Sequence, residues 1–232
     1  MTGSTGPGTG SLDTRAGSTG SGIGSSGSGA GSISSGTGSS GSGIGSIGSG
    51  IGELAAEVAR LSDIAALNRL IDGYLAGLDE RLARSFPEDG RPAASGFDAE
   101  WAASLFTEDV ELVFPVGSHR GLAGADAFLG EIMERWSRTH HHGSLATVEP
   151  EGDRAAVGWS LIASHVHFGS PVPPRPSEYF QIGGRFTGTA RRTADGWRFA
   201  RLRLRIAWSA GSPPGGVGEV DARGLDVLDT RR

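Results

Sequence analysis

Three of the chain's six histidines form one run, His140-His141-His142, and two more stand at His165 and His167. Imidazole titrates nearest neutrality, so such a concentration suits proton transfer or metal ligation. Strand side chains alternate between faces. In the stretch around "SLIASHVHF", His165 and His167 therefore share a face with Val157, Trp159, Leu161 and Ala163. An imidazole ending an apolar row reads either as a pocket wall, with Trp159 beside it, or as a polar cap at the strand's rim. Asp79 closes the helical stretch "GYLAGLDER". There a carboxylate is either solvated beside Glu80 and Arg81 or turned into an apolar hollow. In a hollow its pKa rises unless a cation or donor sits beside it, and either protonation state can move protons. Tyr74, one turn before Leu78, supplies either a hydroxyl or a core ring.

Composition removes several chemistries. The 232 residues contain no Cys and no Lys. Thiolate nucleophiles, disulfides, Cys-based zinc sites, Schiff bases and the phosphate-binding lysine of P-loops are thereby excluded. A formal net charge of -5 argues against a general nucleic-acid binder. No run approaches the roughly 20 apolar residues of a membrane span, and the N-terminus lacks a secretory pattern. A soluble, cytoplasmic protein is expected.

The elements that must position these residues begin late. Residues 1–52 are mostly Gly, Ser and Thr, a composition that cannot offset its ordering entropy by burial. They read as a disordered tail, followed by a domain over 53–210 and a flexible C-terminal tail over 211–232. Ile64, Leu67, Ile71, Tyr74 and Leu78 recur at helical spacing within 53–84, with Ser62 a candidate cap. Shorter helices are expected over 98–106 and 120–136. Strands are expected over 108–117, 142–152, 154–168, 178–192 and 197–208, with a bulge at Gly183-Gly184. In the last strand Arg201, Arg203 and Arg205 face one way, and Leu202, Leu204, Ile206 and Trp208 the other. Helices first and hairpin-connected strands after predict an α+β domain, a curved antiparallel sheet with helices on one face.

Five strings in this order, "DIAALNRLIDGYLAGLD", "WAASLFTEDVEL", "RGLAGADAFL", "THHHGSLATVEPEGDRA" and "RRTADGWRFARLRLRIAW", resemble the SnoaL-like branch of the nuclear transport factor 2 superfamily. The resemblance covers about 53–210 and implies a cone-shaped barrel whose three N-terminal helices enclose a pocket. Polyketide cyclases, steroid delta-isomerases and scytalone dehydratase belong to that superfamily. It implies chemistry without a cofactor or metal, a hydrophobic small-molecule ligand, and a homodimer through the sheet.

Carried onto this chain, the resemblance pairs Asp79 with His165, which becomes the acid or base. It turns His141 inward, with His140 and His142 outward, and makes His141 and Tyr74 hydrogen-bond donors to a developing oxyanion. The pocket wall takes Phe114, Trp159, Leu145 and Thr189. Departures are visible: Leu78 and Phe114 stand where scytalone dehydratase has two tyrosines, Leu145 where relatives carry Asn or another polar residue, and Thr189 where an Asn is expected. Two further readings stay open. His141, His165, His167 and Asp79 also make a legitimate His–carboxylate ligand set for a divalent ion. The same cone can also bind a ligand or support a partner without catalysis. The leading expectation is acid–base catalysis of isomerase, cyclase or dehydratase type on a ring-containing molecule.

Overall fold

The computed structural model describes residues 42–87 and 93–213. Residues 1–41 of the expected tail over 1–52, residues 214–232 of that over 211–232, and residues 88–92 of the loop lie outside the described residues. Helix α1 runs Ser42–Ser85, α2 Ala99–Leu105 and α3 Ala125–Met133. The strands are β1 (Phe106–Phe114), β2 (Gly117–Arg120), β3 (Arg138–Gly143), β4 (Thr147–Glu151), β5 (Arg154–Val166), β6 (Tyr179–Thr193) and β7 (Gly196–Gly211). The fold is α+β: three helices and one large, curved, unclosed sheet.

The sheet order is β2-β1-β7-β6-β5-β3, with β4 also paired to β5. Every pairing is antiparallel except β1 with β7, which is parallel. β1 lies between β2, its hairpin partner, and β7, the last strand of the hairpin run, which it meets in parallel because α3 and β3 to β6 intervene in the chain. The inner face of the sheet carries Leu112, Val157, Trp159, Leu161, Phe186, Phe199 and Leu202, all buried. Against them α1 lays Leu67, Ile71, Tyr74, Leu78 and Leu82, the periodic stripe legible in the sequence. Gly188 lets β7 cross closely at the bend, since a Cβ there would lie 2.2 Å from the Arg201 carbonyl oxygen.

Several expectations shift. Ser62 caps nothing: its hydroxyl donates to the Val58 carbonyl (2.8 Å) within a continuous helix. That helix starts at Ser42, inside the stretch composition assigns to a tail. The strand expected over 142–152 is two strands, because the chain breaks after Gly143, where the Ser144 amide donates to the Ser160 carbonyl and the Ser144 hydroxyl accepts from the Ser160 amide. Residues Gly117–Arg120 form an edge hairpin with β1 that the periodicity did not reveal. The bulge at Gly183-Gly184 is present, as a register shift in which Gly183 faces Trp208 and Gly184 faces Ile206. The extra residue, Ala207, reverses the alternation. Trp208 therefore leaves the inner row and lies 45% exposed over Gly183, and Ser209 takes the inward place. Among the described residues no helix is long and apolar enough to cross a membrane.

Candidate active site

Asp79 stands near the C-terminal end of α1, where β3 crosses it. The two elements come close at Gly143, where a Cβ would lie 2.7 Å from the Leu75 Cδ1 methyl and turn that side chain aside. The crossing brings three donors onto one carboxylate. The His141 ring Nδ1 and the Thr139 hydroxyl each donate to Asp79 Oδ1 at 2.7 Å, and the His141 backbone amide donates to Oδ2 at 2.9 Å. Burial alone would push the Asp79 carboxyl up. The His141 hydrogen bonds and charge, with the Thr139 hydroxyl, outweigh that and hold it below the ordinary carboxylate value. Asp79 is thus an anion at neutral pH. An anion can only accept, so Nδ1 of a neutral His141 carries the proton and Nε2 keeps the lone pair.

The His141 side chain is 6% exposed and lines a cavity of about 280 Å³. Tyr74, Leu78, Phe114 and Phe186 form apolar wall, and α3 adds Leu129 and Met133. Ala163, opposite His141 in the β3–β5 register, gives the ring its room. Arg135, on a side chain whose Nε donates to the Glu131 carbonyl (3.0 Å), and Ser209 supply polar groups elsewhere on the lining.

His165 also lines the cavity but does not reach Asp79. Its Nδ1 donates to the Phe180 carbonyl at 3.1 Å, across the β5–β6 ladder. Its ring meets His141 edge-on at 5.6 Å between centroids and packs on Trp136 at 4.8 Å. Burial, then the neighbouring His141 charge, pushes its pKa down to about 4, so it is neutral at pH 7. The expected Asp79–His165 pair is therefore an Asp79–His141 pair, with His165 beside it. The reason is strand position: His165 lies on β5, opposite Thr139, and it is the β3 residues Thr139 and His141 that take the carboxylate.

The other expected site residues divide. Phe114 and Tyr74 line the cavity. Tyr74 is 1% exposed, edge-on to Phe106, Phe186 and Phe199, and burial pushes its phenol well above the usual range. It remains protonated and able to donate. Trp159 is fully buried behind the wall, stacked on Phe186, and its Nε1 has no partner among the described residues. Leu145 does not reach the cavity: it sits in the β3–β4 connection, 93% exposed, because the break after Gly143 turns it outward. Thr189 is exposed on the outer face of β6, between Ala156 and Arg201.

His140 and His142 are exposed, as the alternation of β3 requires. Among the described residues no three His, Asp or Glu side chains are placed to share a metal ion. His167 points away, its Nε2 donating to the Ser212 carbonyl at 2.9 Å. Thr139, Trp136, Arg135 and Ser209 went unnoticed in the sequence. Thr139 was recoverable, since it lies two residues before His141 on the same strand face. Ser209 was not, because only the bulge turns it inward.

A family model described as SnoaL-like domain matches residues 59–203. Among solved structures, a scytalone dehydratase-like protein from Novosphingobium aromaticivorans is 23% identical, with 68% of this chain and 97% of that one covered at a TM-score of 0.50. A hexachlorocyclohexane dehydrochlorinase, LinA-type3 from Novosphingobium barchaimii, is 20% identical over 69% and 96%, at 0.51. LinA Type2 is 18% identical over 68% and 99%, at 0.52. At these identities the likeness is one of fold. No match was found among curated proteins.

Proposed function

The chain belongs to the SnoaL-like domain family, and from that premise we propose that it is a cofactor-free acid–base enzyme acting on a hydrophobic, ring-containing small molecule. The observation that carries this reading is the Asp79–His141 pair at the wall of an apolar cavity. His141 Nε2 takes a proton from a carbon of the bound ring. The imidazolium that forms is stabilised by the Asp79 anion already hydrogen-bonded to Nδ1, and Thr139 holds the carboxylate in place. The electron pair left on carbon moves into a neighbouring carbonyl or expels a leaving group. Tyr74 is the donor for the oxygen that gains charge. His165, neutral and with Nδ1 committed to Phe180, offers Nε2 only as an acceptor. It positions His141 and receives a substrate hydroxyl. Besides the Tyr74 phenol, the Ser209 hydroxyl and the Arg135 guanidinium line the cavity as donors, so isomerisation, cyclisation and elimination each have a partner for the developing charge.

The test is conversion in deuterated water of a panel of cyclic ketones and β-hydroxy or β-halo ring compounds, read by mass spectrometry. Wild type should incorporate deuterium into, or remove the leaving group from, at least one compound, and His141→Gln should not. Equal behaviour of the two proteins would refute the assignment. The second reading, a ligand-binding module, draws on Leu78 and Phe114, which put hydrocarbon on the lining where scytalone dehydratase has tyrosines. It predicts compounds that raise the melting temperature yet remain unchanged. The reading also includes a homodimer through the outer sheet face. In support, Ile162 and Trp208, each 45% exposed, flank Gly183 on neighbouring strands.

A further inference from the structure

The first part of α1 is a helix without a core to explain it. Every residue from Gly50 to Ser62 is exposed, and burial begins at Leu67. Within that span the large apolar residues are Ile51, Leu54, Val58 and Leu61, between 51% and 65% exposed. Their spacing of three, four and three residues is that of the a and d positions of a heptad. In the sequence the same spacing continues backwards through Ile47 and Ile44, both within α1. At 100° per residue this stripe lies on the side of the helix roughly opposite Leu67, Ile71, Tyr74 and Leu78, so the domain's own core cannot cover it. The segment is also a poor helix by itself: Gly43, Gly45, Gly48, Gly50 and Gly52 all fall in its first turns, and glycine is the least favourable helical residue after proline. Helicity there needs packing.

We propose that residues 44–61 form a parallel, in-register two-stranded coiled coil with the same segment of a second copy of this chain. The choice of occupant rests on the stripe's own chemistry. From Ile51 on, the a positions, Ile51 and Val58, are β-branched, and the d positions, Leu54 and Leu61, are leucine. β-Branched a with Leu-rich d is the pattern that favours two parallel strands. The positions flanking the seam are small: Gly48, Ala55 and Ser62 at e, and Gly50 at g. A Cβ at Gly50 would meet nothing within 4 Å, so a second helix can approach there. The remaining g residue, Glu57, is held by Arg60 of its own helix at 2.7 Å. In parallel register it faces Ser62 of the other copy, so no like charges oppose. This interface is separate from the outer sheet face and from the cavity.

Because the chain has no native cysteine, the test is disulfide trapping of the full chain. Leu54→Cys at a d position and Ala56→Cys at an f position are each exposed to a mild added oxidant, which takes up the hydrogen of the two thiols. The products are resolved without reductant. Cα atoms across a d layer lie within disulfide reach, and those at f do not. Leu54→Cys should therefore give at least about five-fold more covalent dimer than Ala56→Cys, and adding Leu61→Asp should abolish the difference. Both sites are exposed, so the domain folds in each variant, which circular dichroism checks. Equal trapping at 54 and 56, or trapping at neither, overturns the coiled coil. Either result would leave the cavity assignment untouched.

Discussion

Where β3 crosses α1, three hydrogen bonds converge on the Asp79 carboxylate and pass its charge to one face of His141. Elsewhere on the lining, Leu78, Phe114, Leu129 and Phe186 present hydrocarbon. One region therefore holds a preset proton acceptor while the other only excludes water. The contrast teaches that this site orients a substrate by shape and acts on it through one polar pair. An apolar lining strengthens the electrostatics beside it, because water is not there to screen them.

The comparison can be broken most severely at the carboxylate. Asp79→Asn keeps the shape but removes the charge and permits the wrong His141 tautomer. On a substrate found by the deuterium assay it should lower kcat/KM about 10³–10⁴-fold. His141→Gln should cost a similar factor, and the double variant little more than either. Additive losses would show that the two act separately.

Next in size is the pH dependence of stability, which belongs to His165. Burial holds its folded pKa at about 4, below the ordinary 6.5 of histidine. Above 6.5 both folded and unfolded forms are neutral there and the group contributes nothing. As pH falls below 6.5 the unfolded chain takes up a proton that the folded chain resists. Stability therefore drops, by about 3 kcal/mol in all by pH 4. Urea melts at pH 7 and pH 4.5 should show this slope, and His165→Phe should flatten it. Asp79 adds to the loss only at lower pH, since its depressed value makes it stabilising above the unfolded pKa and lost as pH falls through the folded one.

A smaller effect sharpens the polar wall. Thr139→Val removes one hydrogen bond to Asp79 and should cost about 1 kcal/mol in stability. Any activity should fall by no more than about ten-fold, since the His141 contacts persist. The smallest effects belong to Leu145 and Thr189. Both lie outside the cavity, so alanine at either should leave binding and turnover unchanged. A clear loss at Leu145 would mean that the β3–β4 connection reaches the substrate.

The sequence carried most of this architecture because its periodicity is strong. The Leu67–Leu82 stripe, the alternation of β5 and the Gly183-Gly184 bulge all follow from local spacing. What local spacing cannot carry is which strand residue meets which helix residue. Asp79 and His141 are separated by sixty-two positions, and their pairing depends on β3 crossing α1 at Gly143. His165 is equally suitable on its apolar row, but it stands on β5, with the β3 residues Thr139 and His141 taking the carboxylate in its place. The reversal at Trp208 depends on where the bulge places its extra residue, which Gly-Gly alone does not specify. Exposure of Leu145 followed from a break within an apparently continuous β pattern.

Asp79 fixes the tautomer of His141, and imidazole nitrogen NMR reads that directly. In protein labelled with 15N histidine and assigned through His141→Gln, the neutral His141 ring should be protonated at Nδ1 and bare at Nε2. Asp79→Asn should shift that ring's signals while leaving the His165 Nδ1–H in place. A His141 protonated at Nε2, or a ring that ignores the Asp79 substitution while His165 responds, would contradict it.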